Sequence, residues 1–168
     1  MKKFLANVFI VVVMAFIIQW MFIRYVPNIV YRIAVHRSGH LNNQWINAGK
    51  TDAGMRKVVM PNPDFVYSAL FYDVSGKDIV VSGVLPDSGY ASISFYDDRC
   101  QPYFVYNNLS PDHTGKFSLN LSHAESTGPH EVHAQTNKGV MICRFLMKGD
   151  NDLQRMKGYQ NQLTSELK

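Results

Sequence analysis

The chain has 168 residues, of which 46% are hydrophobic and 18% charged, and its formal net charge is +4. This length can hold one ordinary domain and an anchoring segment, and the composition excludes a mainly disordered protein. Much of the positive charge flanks an apolar N-terminal run, and no later basic patch is interleaved with aromatic residues. We therefore expect membrane lipid rather than nucleic acid as the partner of these charges.

The N-terminal run over residues 4–23 predicts a transmembrane helix. It contains no charged residue, and about twenty helical residues at ~1.5 Å each span the roughly 30 Å of a hydrocarbon layer. Trp20, Arg24 and Tyr25 close the run and are typical of a membrane interface; with Phe4 at its start, they are the predicted anchor residues. A cleaved signal peptide would have a shorter apolar region followed by small residues. Large side chains stand at that place, so we expect the helix to be retained.

The flanking charges do not decide the orientation of this helix, because its two sides carry nearly equal numbers. We favour an N-terminus on the inner side, since a short tail is hard to translocate whereas a long domain can cross regardless of charge. In a bacterium this predicts a single-pass inner-membrane protein with its soluble domain in the periplasm. There Cys100 and Cys143 could form a disulfide. Cys143 alternates with apolar residues on a predicted strand, which favours a buried free thiol at least as strongly.

The pattern along the chain predicts three regions: a membrane anchor over residues 1–25, a juxtamembrane helix and connector over residues 26–55, and a β-rich soluble domain over residues 56–168. The juxtamembrane helix is expected to be bent or restarted at Pro27. Strands are predicted at residues 64–74, 78–85, 90–96, 101–106, 116–121, 130–135 and 140–147. Short antiparallel strands at this spacing imply a mainly β fold, a sandwich or a jelly-roll-like barrel.

The last part of the chain is predicted to contain a hairpin and one helix. The strands at 130–135 and 140–147 are expected to pair around the turn over residues 136–139. The helix is expected to run to the end of the chain with one apolar face. The residues of that face are Leu153, Met156, Leu163 and Leu167. Such a stripe is typical of packing on the parent domain, and a surface for a partner is the alternative.

The sequence offers no convincing catalytic constellation, metal site or cofactor signature. His130 and His133 resemble part of a zinc motif, but their spacing is three and on a predicted strand their rings point to opposite faces. A site assembled from distant residues, such as His113 or His123, stays open. Asp97 and Asp98 could serve as acids, but adjacent carboxylates in a turn are usually solvated. We therefore expect no cofactor and favour a protein without catalytic activity over an enzyme.

Six polar or aromatic residues form the candidate ligand-binding site: Asn62, Asp64, Tyr67, Tyr90, Tyr96 and Arg144. Asn62 and Asp64 precede the predicted central strand, where they either bond the local backbone or present polar groups at the mouth of the strand. Arg144 lies on an otherwise apolar strand face, and an unpaired buried charge is costly. We expect a structural ion pair with Asp64, Asp73 or Asp97; an anionic ligand is the alternative.

Four stretches of the sequence carry a resemblance to a known family. They are residues 56–68, 71–75, 90–97 and 143–146, and together they resemble the domain of unknown function family 1254 in its short, membrane-anchored form. The resemblance extends over most of the predicted soluble region. It implies a β-sandwich-like domain of bacterial envelopes, often encoded beside a related small membrane protein. It implies no established reaction.

Three functional hypotheses follow from the sequence. The first is a non-catalytic accessory or interaction module of the envelope that docks another membrane protein. The second is a module that binds a small or lipidic ligand in an aromatic-lined mouth near Tyr67 and Arg144. The third is a hydrolase whose catalytic residues the sequence does not reveal. An enclosed pocket over Tyr67 and Arg144 would favour the second hypothesis, and an exposed apolar stripe on a packed sandwich the first.

Overall fold

The computed structural model describes residues 2–51, 61–109, 115–124, 128 and 130–168 of the chain. It begins with helix α1, Lys2–Arg37, which is 36 residues long. Among the described residues, α1 is the helix long and apolar enough to cross a membrane. By length and composition it is compatible with a membrane anchor or a signal sequence. Of the bend or restart expected at Pro27, the restart is wrong, since α1 continues through this residue.

Nine strands and a short helix follow α1 in the described part of the chain, and the strands form two sheets. The strands are β1 (Trp45–Asn47), β2 (Phe65–Asp73), β3 (Ile79–Val84), β4 (Ala91–Asp97), β5 (Pro102–Asn107), β6 (Lys116–Ser122), β7 (Glu131–His133), β8 (Lys138–Leu146) and β9 (Thr164–Leu167). Sheet A has the order β1-β2-β8-β4-β5, and sheet B has the order β7-β6-β3-β9. The predicted mainly β fold is confirmed.

The core lies between the inner faces of the two sheets. The side chains of strand β8 illustrate this arrangement by alternating in burial. Met141 and Phe145 belong to the buried set, and Ile142 and Arg144 to the half-buried set. Successive side chains of a strand point to opposite faces, so the second set lies on the face of sheet A that points away from sheet B. We call this the outer face. In β6 the alternate residues Phe117, Leu119 and Leu121 are buried in the same way.

The predicted hairpin between the seventh and eighth strands is wrong. Strand β7 pairs in parallel with β6 in sheet B, whereas β8 lies between β2 and β4 in sheet A and is antiparallel to both. The turn that was predicted to close a hairpin therefore carries the chain from one sheet to the other. The physical reason is burial, since the apolar inner face of β8 is better covered at the centre of sheet A than beside the three-residue β7.

The C-terminal helix is present but shorter than predicted. It is α2, Leu153–Gln160, and β9 follows it and pairs with β3. Met156 is buried from the helix, while Leu163 reaches the core from the connection and Leu167 lies on β9. Trp45 of β1 donates a hydrogen bond from Nε1 to the Thr164 carbonyl oxygen at 3.0 Å, which joins the edges of the two sheets.

Two segments that precede the predicted soluble domain contact the sandwich. The first contributes β1, which lies within residues 26–55, the predicted helix and connector, and forms the edge of sheet A by pairing with β2. The last turns of α1 contact one end of sheet A, where Asn28 Nδ2 donates a hydrogen bond to the Asp98 carbonyl oxygen at 3.2 Å. The two cysteines are free: Cys143 is buried in the core, and Cys100 is exposed in the turn between β4 and β5. The structure thus has the free-thiol alternative, not the disulfide.

Candidate functional site

Strand pairing in sheet A brings Tyr67, Arg144 and Ser92 side by side on the outer face. Arg144 of β8 lies opposite Tyr67 of β2 on one side and opposite Ser92 of β4 on the other. Side chains directly opposite one another on paired strands are about 4.5–5.5 Å apart at their Cβ atoms. This row therefore forms the centre of the candidate site.

Arg144 is held by a hydroxyl group. Its Nε donates a hydrogen bond of 2.9 Å to Ser92 Oγ, and Ser92 is fully buried beneath it. The other two guanidinium nitrogens of Arg144 make no hydrogen bond to a described residue and are not buried. They therefore reach solvent. The arrangement leaves these nitrogens of Arg144 able to bind a carboxylate or phosphate.

The predicted ion pair of Arg144 is wrong. Among the described residues, which include Asp64, Asp73 and Asp97, no carboxylate lies within ion-pair distance of its guanidinium. Asp73 instead pairs with Lys138 at 3.0 Å. Burial opposes ionisation of Asp73, but hydrogen bonds from Ser75 and Lys138 outweigh it and lower the pKa of this carboxyl.

Asp97 is occupied by its own turn. Its Oδ1 accepts hydrogen bonds of 2.8 Å from the backbone N–H groups of Arg99 and Gln101. The expectation that both neighbouring aspartates are solvated is wrong for Asp98, whose Oδ1 is buried without a hydrogen-bond partner among the described residues. Both carboxylates belong to the β4–β5 turn, at the end of sheet A that contacts α1.

Aromatic rings surround one end of the Arg144 row. Phe65 lies 6.2 Å from Tyr67 and 6.3 Å from Tyr90, measured between ring centroids. The Tyr67 hydroxyl accepts a hydrogen bond of 3.0 Å from the backbone N–H of Asn62. The side chain of Asn62 in turn accepts one of 2.9 Å from the backbone N–H of Asp64. Asn62 therefore bonds the local backbone, which was one of its two predicted roles.

Five of the six candidate residues lie near this end of sheet A, and one does not. Asp64 is exposed just before β2, and its carbonyl oxygen accepts a hydrogen bond from the Met147 N–H at 2.8 Å. Tyr96 lies opposite Val140, four positions along β8 from Arg144, which is about 13 Å at the rise of a strand. Tyr96 thus shares the outer face but not the cluster.

Two residues of the cluster, Phe65 and Ser92, were missed from the sequence. Phe65 is two positions before Tyr67 on the same strand, so the period of two places both on one face. That signal was available. Ser92 is 52 residues from Arg144, and a single sequence does not contain the register that pairs their strands.

A second group of tyrosines lies on the inner side of sheet A. Burial raises the pKa of Tyr72 to about 12, against hydrogen bonds that lower it, and burial also raises the pKa of Tyr103. Their hydroxyls are 3.0 Å apart, and the Tyr72 hydroxyl also donates to the Tyr96 carbonyl oxygen at 3.1 Å. Both hydroxyls stay protonated at neutral pH and act as hydrogen-bonding groups of the core.

The histidines of the suggested zinc motif do not converge. His130 is exposed in the turn before β7, while His133 stacks on His123 with 6.0 Å between ring centroids. Within the described residues, no three His, Cys, Asp or Glu side chains are grouped so that they could hold a metal ion. His113, the other histidine considered, lies outside the described residues.

The four predicted anchor residues all lie on α1, and their side chains are exposed. Phe4 is near the N-terminal end of the helix, and Tyr25 follows Arg24. Trp20 and Arg24 line a cleft between α1 and the β4–β5 turn. The interfacial residues predicted from the sequence therefore lie at the level where the helix meets the folded domain.

Comparison with known proteins gives a family and a fold. A model of the family described as "Protein of unknown function (DUF1254)" matches residues 41–166, in agreement with the resemblance seen in the sequence. A search of curated proteins finds no match.

Two solved structures are similar to this chain. The VPA0106 protein from Vibrio parahaemolyticus is 13% identical with a TM-score of 0.62, over 84% of this chain and 35% of that one. An uncharacterized protein from Burkholderia cenocepacia is 16% identical with a TM-score of 0.54, over 86% of this chain and 41% of that one. At these identities the likeness concerns the fold, and this chain spans about two fifths or less of either structure.

Proposed function

The chain belongs to the DUF1254 family of proteins of unknown function, and we propose that it is a membrane-anchored interaction module of the bacterial envelope whose outer face on sheet A binds a partner protein. In this proposal α1 holds the chain in the inner membrane, and the sandwich stands on the periplasmic side. The partner is a second envelope protein. The observation that carries the proposal is the outer face itself.

The outer face combines apolar area with one available charge. Ile142, Leu146 and Phe65 are half-buried there, and Val105 on the edge strand β5 is 48% exposed. Arg144 stands among them with guanidinium nitrogens that reach solvent. Aromatic residues and arginine are enriched at the centres of protein interfaces. Apolar residues on the surface of a monomer usually occur singly, whereas a group of them on one face indicates a binding surface.

In the two similar solved structures, the matched sandwich is about two fifths or less of the chain. The fold thus occurs beside much additional polypeptide in those proteins. In this proposal the anchor keeps the chain and its partner together by confining both to one membrane.

A photo-crosslinking experiment tests the face directly. A photoreactive amino acid replaces Val105 on the outer face of sheet A, or Ser118 on the outer face of sheet B as the matched control. Both positions are exposed and lie on strands. In intact cells we expect one protein to be crosslinked from Val105 and not from Ser118, with a lower yield when Arg144→Gln is added.

The result that overturns the partner proposal is no adduct from Val105, or equal adducts from the two positions. The anchor is tested separately by washing membranes at alkaline pH. The full chain should stay in the membrane pellet, and its release into the soluble fraction would overturn the anchored arrangement.

A further inference from the structure

One face of α1 lines two cavities against the same end of sheet A. The lower cleft, of about 340 Å³, is lined by Trp20, Ile23, Arg24 and Pro27 of α1 and by Arg99 and Gln101 of the β4–β5 turn. The upper groove, of about 610 Å³, begins one helical turn further along. Residues three and four apart share a helix face, so both cavities belong to one continuous stripe of the helix.

The lower cleft contains two arginines without an acidic partner. Arg24 comes from α1 and Arg99 from the turn, and neither lies within ion-pair distance of a carboxylate among the described residues. Two guanidinium groups that line one cleft repel each other unless an anion lies between them. Their planar donors fit the oxygens of a phosphate. Trp20 and Ile23 give the same cleft an apolar wall.

The upper groove contains a carboxylate oxygen without a donor. Asp98 lines the groove, and its Oδ2 is 3.4 Å from Asn28 Nδ2. Its Oδ1 is buried and accepts no hydrogen bond from the described residues. A buried acceptor without a partner destabilises the folded state, and more so when it is charged. Asp98 as a whole is half-buried and lines the groove, so a cationic donor placed there would pair with its carboxylate.

The two cavities lie at the height of lipid headgroups if α1 spans a bilayer. Arg24 closes the apolar run, and Asn28 lies four residues, or about 6 Å, further along the helix. The headgroup region adds about 5–8 Å on each side of the hydrocarbon layer. The arginines are therefore at the inner boundary of this region, and Asp98, which bonds Asn28, is within it.

We propose that this junction binds a membrane phospholipid whose headgroup carries a primary ammonium beside its phosphate. The phosphate binds Arg24 and Arg99, the ammonium pairs with the Asp98 carboxylate, and an acyl chain packs on Trp20 and Ile23. The lipid thereby fills the space between helix and sandwich and fixes the domain against the membrane. This inference rests on the anchored arrangement proposed above, but not on the partner protein.

Native mass spectrometry of the full chain tests the site. The protein is purified in mild detergent and incubated with equal amounts of phosphatidylethanolamine, phosphatidylcholine and phosphatidylglycerol that have identical acyl chains. We expect phosphatidylethanolamine adducts to exceed phosphatidylcholine adducts about ten-fold, because a primary ammonium can donate a hydrogen bond to the Asp98 carboxylate and a quaternary one cannot. Phosphatidylglycerol, which lacks the ammonium, should also bind less.

Two variants separate the parts of the site. Asp98→Asn should bring the ratio of ethanolamine to choline lipid close to one. Arg99→Gln should lower both adducts several-fold and leave their ratio unchanged, because the two lipids share the phosphate. The matched controls are Asp87→Asn, in an exposed turn, and Arg155→Gln, on α2; both should bind lipid as the unmodified chain does.

Three results would overturn the inference. Equal binding of the three lipids removes the role of Asp98, and preferential binding of phosphatidylglycerol assigns the site to anionic lipid. Displacement of the lipid by an equal concentration of free glycerophosphoethanolamine assigns it to a soluble ligand. If the chain stays in alkaline-washed membranes and any of these results is obtained, the lipid inference alone is wrong. If the chain is released from the membranes, the anchored arrangement is wrong.

Discussion

Tyr31 of α1 packs against Phe71 of β2, with 6.2 Å between the ring centroids. Its hydroxyl donates a hydrogen bond of 3.4 Å to the Gly139 carbonyl oxygen. Tyr31 is the buried residue of α1, and this burial, with smaller effects from Tyr72 and nearby carboxylates, raises its pKa. The helix and the sandwich are thus joined by a side chain that is desolvated on contact.

Truncating this contact should loosen the helix from the domain. We expect Tyr31→Ala to lower the free energy of unfolding by about 1–3 kcal/mol, because it removes a buried ring from a packed contact. Tyr31→Phe removes the hydroxyl alone and should cost about 0.5–1.5 kcal/mol. Chemical denaturation of the full chain in mild detergent measures both values. Equal effects of the two variants would mean that the ring does not hold the helix.

Gln160 ties α2 to sheet A through a single buried amide. Its Nε2 donates to the Tyr67 carbonyl oxygen at 2.8 Å, to Ser68 Oγ at 3.0 Å and to the Ala48 carbonyl oxygen at 3.2 Å. We expect Gln160→Met to lower the free energy of unfolding by about 1–3 kcal/mol, since the volume is nearly kept while buried acceptors lose their donor.

The matched control for Gln160 is Gln154→Met, because Gln154 lies on the same helix and is exposed. Surface substitutions away from specific contacts usually change stability by less than about 0.5 kcal/mol. Thermal melting of the two variants side by side gives the comparison. A Gln160→Met chain as stable as Gln154→Met would show that the amide contributes little.

Local patterns were enough to predict much of this fold. The apolar run over residues 4–23 gives α1, and the alternation of Phe117, Leu119 and Leu121 gives both β6 and its inward face. These features depend on neighbours along the chain. The same rule would have placed Phe65 with Tyr67 in the candidate site.

Pairing between distant segments could not be predicted in this way. Strand β7 joins β6 in parallel rather than the next strand, and the four-residue β9 is too short and too exposed to give a periodic signal. The hydrogen bond from Arg144 to Ser92 depends on the register between β8 and β4. The buried oxygen of Asp98 depends on where α1 docks. Each of these is a property of the packed molecule.

The two free thiols should differ in reactivity. Burial raises the pKa of the Cys143 thiol, and the nearby Arg144 opposes this effect. Burial, with Asp97 and Asp98, also raises the pKa of Cys100, although that residue is exposed enough to react. Since the thiolate is the reactive form, we expect a maleimide at pH 8 to label Cys100 slowly and Cys143 not at all in the folded chain.

Mass spectrometry after labelling checks this prediction. One adduct should form on the folded chain, two in denaturant, and none on the folded Cys100→Ser variant. Because both pKa values are raised, the rate at Cys100 should keep increasing with pH beyond the usual range for a cysteine. Two adducts on the folded chain would contradict the buried position of Cys143. No adduct in denaturant without reductant would indicate a disulfide.

Gly139 is the position in sheet A where we expect a single methyl group to be most destabilising. A Cβ placed there would overlap the Tyr72 hydroxyl and the Tyr96 carbonyl oxygen. The carbonyl is fixed by the pairing of β4 with β8, so it cannot move aside without breaking that ladder. We expect Gly139→Ala to lower the free energy of unfolding by about 1–3 kcal/mol, the usual cost of overpacking a core.

Gly158 provides the control, because it lies inside α2 with no atom within 4 Å of an added Cβ. There alanine should be neutral or raise stability by up to about 1 kcal/mol, since glycine is a poor helix former. The denaturation midpoint of Gly139→Ala should therefore fall below that of the unmodified chain, while that of Gly158→Ala should equal or exceed it. If both variants matched the unmodified chain, the close approach of Tyr72 and Tyr96 to Gly139 would be wrong. The position of Gly139, whose carbonyl oxygen accepts the hydrogen bond from Tyr31, would then be wrong as well.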